Sequence, residues 1–140
     1  AFKIRGAYNK IVKMDDSAKQ HGLIASSAGN HAQGVAYAAN KLGVKATIVM
    51  PKHTPLIKVE ATQSHGAEVV LAGEVYDDSY KAACDLQKEY DYTFVHPFND
   101  EDVIEGQGTI ARGITRYRYH PCSSWWRWFN FWNCLCSQTN

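Results

Sequence analysis

Alternating helical and strand patterns run along the chain to about residue 95 and limit what it can fold into. Some segments repeat apolar residues at helical spacing, and the segments between them are short and rich in β-branched residues. The pattern predicts helices at Ile4–Lys13, Asn30–Leu42, Pro55–His65 and Asp77–Tyr90, and strands at Gly22–Ala25, Ala46–Met50, Ala67–Leu71 and Thr93–Val95. Strict alternation with short turns is typical of a parallel sheet covered by helices on both faces. We therefore predict an α/β fold.

Charge and hydropathy exclude several classes of protein. The chain has 15 Lys and Arg against 14 Asp and Glu, so its formal charge of +1 gives no basic surface for nucleic acid or an anionic membrane. It has no apolar run long enough to span a membrane, and the amphipathic helix pattern of residues 1–20 lacks the apolar centre of a signal peptide. No Gly-x-Gly-x-x-Gly follows a strand, so a dinucleotide site is unsupported. We expect a soluble protein of the cytoplasm, or of an organelle if the source is eukaryotic.

The segment from Ser27 to Gly34, Ser-Ala-Gly-Asn-His-Ala-Gln-Gly, lies where the first predicted strand turns into a helix. Free backbone N–H groups and the positive end of the helix dipole meet at such a turn and favour a carboxylate or a phosphate. Taken alone, such a turn is more often an ordinary helix cap. If it binds an anion, Asn30 should lie at the first turn of the helix and face solvent.

Two further motifs favour a ligand. The chain opens with Ala1-Phe2-Lys3-Ile4-Arg5-Gly6-Ala7, and Glu105-Gly106-Gln107-Gly108-Thr109 follows the last predicted strand. With the Ser27 to Gly34 segment, and in this order, they resemble the threonine ammonia-lyase (threonine dehydratase) family, to which serine racemase is closely related. The resemblance runs from Phe2 to about Ile110 and implies a fold-type II pyridoxal-phosphate enzyme. Residues 1–112 would then be mainly its small α/β domain with pieces of the large domain.

The resemblance also implies roles for individual residues. Lys3 matches the lysine that carries pyridoxal 5'-phosphate as a Schiff base and then removes the α-proton of the substrate, although Ala1 stands where the family has serine. Phe2 matches a residue packed beside the cofactor, and Asn30 matches one that binds the ring hydroxyl. The positions matching the substrate-carboxylate site are Ser27, Gly29, Asn30 and His31.

The implied reaction is loss of water and ammonia from a β-hydroxy amino acid to give a 2-oxo acid, as in isoleucine biosynthesis. Serine racemase has a second serine, which protonates the opposite face of the α-carbon, where this chain has Ala28. Alanine cannot donate a proton, so we favour a dehydratase over a racemase. We interpret His96, in a loop near the implied entrance, as structural, and the spacing of the remaining histidines indicates no metal site.

The composition changes abruptly at Gly113. The last 28 residues hold all four tryptophans, three of the four cysteines and eight of the seventeen aromatic residues. Read one base later, the codons for residues 125–132 allow Gly-Gly-Gly-Gly-Leu-Ile-Ser-Gly, which is similar to the family's phosphate-binding loop. We therefore interpret residues 113–140 as an aberrant, frameshifted tail that packs poorly and cannot cradle a phosphate.

Three hypotheses remain open for the whole chain. The first is an incomplete and inactive form of an ammonia-lyase, since the family's catalytic unit is longer and has two domains. The second is a non-catalytic α/β module that pairs with intact, homo-oligomeric subunits. The third is an α/β domain that binds an anion without a cofactor. Under the first hypothesis we expect the chain as written not to hold the cofactor stably.

Overall fold

A computed structural model describes residues 2–116, and the side chains of residues 2–110. Residues 1–110 form one compact unit. The described helices are α1 (Ile4–Lys13), α2 (Asp16–His21), α3 (Asn30–Lys41), α4 (Leu56–Gln63), α5 (Tyr76–Tyr90) and α6 (Glu101–Arg116). The described strands are β1 (Leu23–Ser26), β2 (Ala46–Met50), β3 (Glu68–Leu71) and β4 (Thr93–Phe94).

The four strands form one parallel sheet in the order β3-β2-β1-β4. Every residue of β1 and β2 is buried, whereas β3, at an edge, is partly exposed. Strands covered on both faces read as continuous apolar runs, which is why the sequence pattern located the two central strands well. The predicted parallel α/β fold is confirmed.

Helices cover both faces of the sheet. Successive strand residues point to opposite faces, so Leu23 and Ala25 join the larger core beneath α1 and α3. Ile24 and Val49 face the other way and pack with Ala83 of α5. Strands β1 and β4 pair in parallel, so their carboxyl ends lie next to each other. Helix α3 and the connection from β4 to α6 both begin just beyond these ends.

Helix boundaries differ from the prediction where the backbone takes an unusual conformation. The residues of the amphipathic pattern at 1–20 form two helices, because the backbone is extended at Met14 and Asp15. The second of these, the short helix α2, was not predicted. β1 begins at Leu23 rather than Gly22 because Gly22, with φ of 100°, ends α2. Helix α6 continues through Arg116, past the proposed start of the tail at Gly113. The rest of the predicted tail, residues 117–140, lies outside the described residues.

Among the described helices, none combines the length and apolar character needed to cross a bilayer.

Candidate active site

The turn between β1 and α3 has the geometry expected of an anion site. The strand ends at Ser26 and the helix begins at Asn30, whose side chain is exposed, so the predicted position of Asn30 is confirmed. The Gly29 N–H donates to Ser27 Oγ at 3.3 Å, and in the described part of the chain no side chain caps α3. The first backbone N–H groups of a helix have no partner within the helix, so those of α3 are available to a ligand.

Open space lies beside this turn. Among the described residues, no heavy atom comes within 4 Å of a Cβ built on Gly29. Ser27 is half-buried, so its hydroxyl lies at the border between protein and solvent. A carboxylate or a ring substituent therefore has room to approach the start of α3.

His31 differs from its neighbours because its ring is buried, with only 4% of its surface exposed. Its Nε2 lies 2.9 Å from the Val95 carbonyl oxygen, which can only accept, so Nε2 carries the proton and Nδ1 does not. Burial lowers the pKa of His31 to about 4, and Lys3 and His96 act in the same direction. The His31 ring is therefore neutral at pH 7.

Lys3 lies immediately before α1 and is half-buried. Its Nζ donates to the Pro97 carbonyl oxygen at 2.7 Å and lies 5.8 Å from the centroid of the Phe2 ring. Burial lowers the pKa of the Lys3 ammonium, which increases the fraction of free amine at neutral pH. Phe2 is 47% exposed, so its ring is accessible beside the amine.

A close helix contact brings Lys3 to the turn. A Cβ on Gly34 of α3 would lie 3.0 Å from Ile4 N and 3.1 Å from the Lys3 carbonyl carbon. Gly34 follows His31 by one helical turn. Glycine at this position therefore places the backbone of Lys3 within about one turn of the start of α3.

The motif Glu105 to Thr109 holds α1 rather than contributing to the turn. Gln107 Oε1 accepts the Gly6 N–H at 2.8 Å, and Arg5 Nη1 donates to Thr109 Oγ1 at 3.0 Å. A Cβ on Gly106 would lie 2.5 Å from the Arg5 carbonyl oxygen, so the two helices touch through backbone. Sequence reasoning missed this role, although glycine inside a helical pattern at two separate sites was a signal of close approach.

The other described histidines have partners of their own. His96 Nδ1 accepts the Asn99 N–H at 2.8 Å and the Phe98 N–H at 3.3 Å, which supports its interpretation as a loop residue. His21 and His53 are exposed and pair with acidic residues, and the His65 ring packs edge-on against a tyrosine. Within residues 2–116 no cluster of three or more potential metal ligands is found.

Comparison with known proteins places this geometry in a family. Residues 1–120 match the family model described as pyridoxal-phosphate dependent enzyme. The chain belongs to this family of pyridoxal-phosphate-dependent enzymes.

The names of individual relatives are more specific than the description of the family. The chain is 54% identical over 114 residues to an L-threonine ammonia-lyase of Thermotoga maritima, covering 81% of this chain and 28% of the relative. It is 53% identical over 114 residues to a mitochondrial threonine dehydratase of Schizosaccharomyces pombe, covering 81% of this chain and 19% of that protein. The chain thus spans less than a third of the length of these relatives.

Solved structures with a similar fold support the same family. The processed form of threonine deaminase isoform 2 from Solanum lycopersicum superposes with a TM-score of 0.81 at 44% identity, over 83% of this chain and 32% of that one. Maize serine racemase superposes with a TM-score of 0.80 at 35% identity, over 83% of this chain and 35% of that one. The predicted family and its fold are confirmed.

Proposed function

We propose that this chain carries the cofactor lysine and the substrate-carboxylate site of a pyridoxal-phosphate-dependent threonine or serine ammonia-lyase. One observation supports this most strongly: the half-buried Lys3 amine bonds the Pro97 carbonyl, while the Lys3 backbone packs within about one helical turn of the uncapped start of α3. The names of the relatives support the reaction and the substrate class.

In this proposal, Lys3 holds the cofactor covalently and later removes the α-proton of the substrate. Burial suits both tasks because it disfavours the ammonium form. When bound, pyridoxal phosphate supplies the electron sink that makes the α-proton acidic. Overall, threonine gives 2-oxobutanoate and ammonia, since the water eliminated from the β-carbon is regained when ammonia leaves.

The turn from Ser27 to His31 binds the substrate carboxylate. Ser27 Oγ, the Asn30 amide and the backbone N–H groups of Asn30 and His31 are its donors. His31 contributes no charge, because its low pKa keeps the ring neutral. The Val95 bond instead fixes the direction of the helix start.

The described residues fit one end of the cofactor. The accessible Phe2 ring, the Lys3 amine and the open space beside Gly29 would hold the ring end of pyridoxal phosphate. The phosphate end has no such support, because residues 125–132 carry tryptophans where the resemblance places glycines, and they lie outside the described residues. We infer that the chain as written lacks activity.

A chimera tests the proposal. Residues 2–110 of this chain replace the matching segment of the Thermotoga maritima relative, and 2-oxobutanoate formation from threonine is measured. We expect activity, and a loss on the order of 10²–10⁴-fold on Lys3→Ala because the base is removed. Lys81→Ala, at an exposed position of α5, is the matched control and should leave the rate unchanged. An active Lys3→Ala chimera would contradict the proposal.

A second candidate is a non-catalytic module that pairs with intact subunits. It is supported by the compact unit of residues 1–110, whose core spans both faces of the sheet. Mixing the chain with a full-length relative and measuring the mass of the assembly by light scattering distinguishes it, because a module adds mass to the intact oligomer. We place either form in the cytoplasm or in an organelle, as the name of the mitochondrial relative suggests.

A further inference from the structure

The connection between β4 and α6 offers two backbone acceptors to the candidate site. The Val95 carbonyl accepts His31 Nε2–H at 2.9 Å, and the Pro97 carbonyl accepts Lys3 Nζ at 2.7 Å. Val95 is itself anchored to the sheet, because its N–H donates to the Ile24 carbonyl at 2.9 Å. Pro97 lies beyond β4, so the direction of its carbonyl depends on how the following loop is held.

His96 holds that loop. The N–H groups of Phe98 and Asn99, the two residues after Pro97, both donate to His96 Nδ1, at 3.3 and 2.8 Å. The Phe98 N–H and the Pro97 carbonyl belong to the same planar peptide group, so these bonds fix the direction of that carbonyl. The ring is fixed in turn by edge-on contacts, with centroids 4.6 Å from Phe98 and 6.2 Å from Tyr80.

We propose that His96 is a positioning residue for Lys3: by binding the Phe98 and Asn99 amides through Nδ1, it orients the Pro97 carbonyl that receives the lysine amine. This inference rests on the proposed function only in making Lys3 the group whose position matters. It assigns His96 no proton transfer.

The role requires one tautomer of His96. Two N–H donors point at Nδ1, so Nδ1 must be unprotonated and the proton of the neutral ring must reside on Nε2. Burial and Lys3 both lower the pKa of His96, against the opposing effect of Asp100, so the neutral form prevails at pH 7 and above.

The test measures the Lys3 amine without cofactor, so it is independent of the proposed function. The full chain is acetylated with acetic anhydride over a range of pH, and mass mapping with fragmentation gives the apparent pKa of Lys3 against exposed Lys81. The variants are His96→Leu, which removes the acceptor, and His96→Asn, whose side-chain oxygen can take the place of Nδ1. Thermal unfolding verifies that each variant is folded.

We expect the apparent pKa of Lys3 in folded His96→Leu to rise above its wild-type value as the amine swings into solvent, which lowers the fraction of free amine at neutral pH roughly threefold. His96→Asn should keep the wild-type titration. A His96→Leu curve that superposes on the wild type, or an equal shift in His96→Asn, would overturn the proposal. If His96→Leu does not fold, the ¹⁵N shifts of His96 in the wild type decide: unprotonated Nδ1 supports the proposal, and protonated Nδ1 overturns it.

Discussion

At the scale of single residues, the sequence motifs identified the candidate site but not how each side chain is used. The position of Asn30 follows from a local rule, since a Gly-Asn pair after a buried strand starts a helix. The contact of His31 with Val95 and that of Lys3 with Pro97 do not follow from such a rule, because each joins residues far apart in the chain. No pattern within a window of a few residues contains that information.

His31 should make stability depend on pH. The pKa of His31 is about 4 in the folded chain and 6.5 in the unfolded chain. Between pH 6.5 and pH 4 the unfolded chain therefore binds a proton that the folded chain does not bind. Stability is therefore lost as pH falls through this window, by about 3 kcal/mol in total. Urea unfolding from pH 7 to pH 4 should show this loss in the wild type and not in His31→Gln, which keeps an N–H donor for Val95. Parallel curves would contradict the assigned pKa.

Ala28 should exclude racemisation. It packs against the core beside the turn and has no group that could protonate the α-carbon. In the chimera described above, we expect no D-serine from L-serine, and a measurable amount after Ala28→Ser, by chiral chromatography. Ala28→Gly serves as the control for a change of size alone. D-serine production by the unmodified chimera would show that another residue donates the proton.

At the scale of elements, the periodic patterns predicted eight elements to within a few residues, and the misses have local causes. The first helix was predicted with its observed bounds, but the short helix α2 was not predicted, because the break at Met14 and Asp15 is a matter of backbone angle rather than of composition. The pairing of α1 with α6 was also missed. It depends on glycines and on the cap from Gln107, which become meaningful only when both helices are seen together.

Two glycines of α6 should respond oppositely to alanine. A Cβ on Gly106 would lie 2.5 Å from the Arg5 carbonyl oxygen, so Gly106→Ala must push α1 away and should cost about 1–3 kcal/mol. Gly108 is exposed and, among the described residues, no heavy atom lies within 4 Å of its Cβ position. Gly108→Ala should raise stability by up to about 1 kcal/mol, because alanine favours a helix. Chemical denaturation measures both, and equal effects would contradict the close packing of α1 on α6.

At the scale of the whole molecule, residues 1–110 form a unit with the sheet order and the two-sided core of the family fold. That much followed from the alternation of patterns, because short connections between parallel strands leave few topologies. What the unit does with a cofactor depends on the rest of a catalytic protein, since the chain spans 28% of its Thermotoga maritima relative.

The affinity of a pyridoxal-phosphate site depends on more than a covalent bond. The phosphate dianion needs converging N–H donors, and an imine exposed to water is readily hydrolysed. We therefore expect the chain as written not to retain the cofactor, and restoring the glycine reading of residues 125–132 alone not to suffice. The chimera, which supplies the remaining segments of a relative, should retain it.

Borohydride reduction followed by mass mapping identifies the lysine that carries the cofactor. The chimera and the chain as written are each titrated with micromolar pyridoxal phosphate, reduced and digested. We expect stoichiometric label on Lys3 of the chimera, and only weak label without preference among the lysines of the chain as written. Label on another lysine of the chimera, with Lys3 unmodified, would show that Lys3 is not the cofactor lysine.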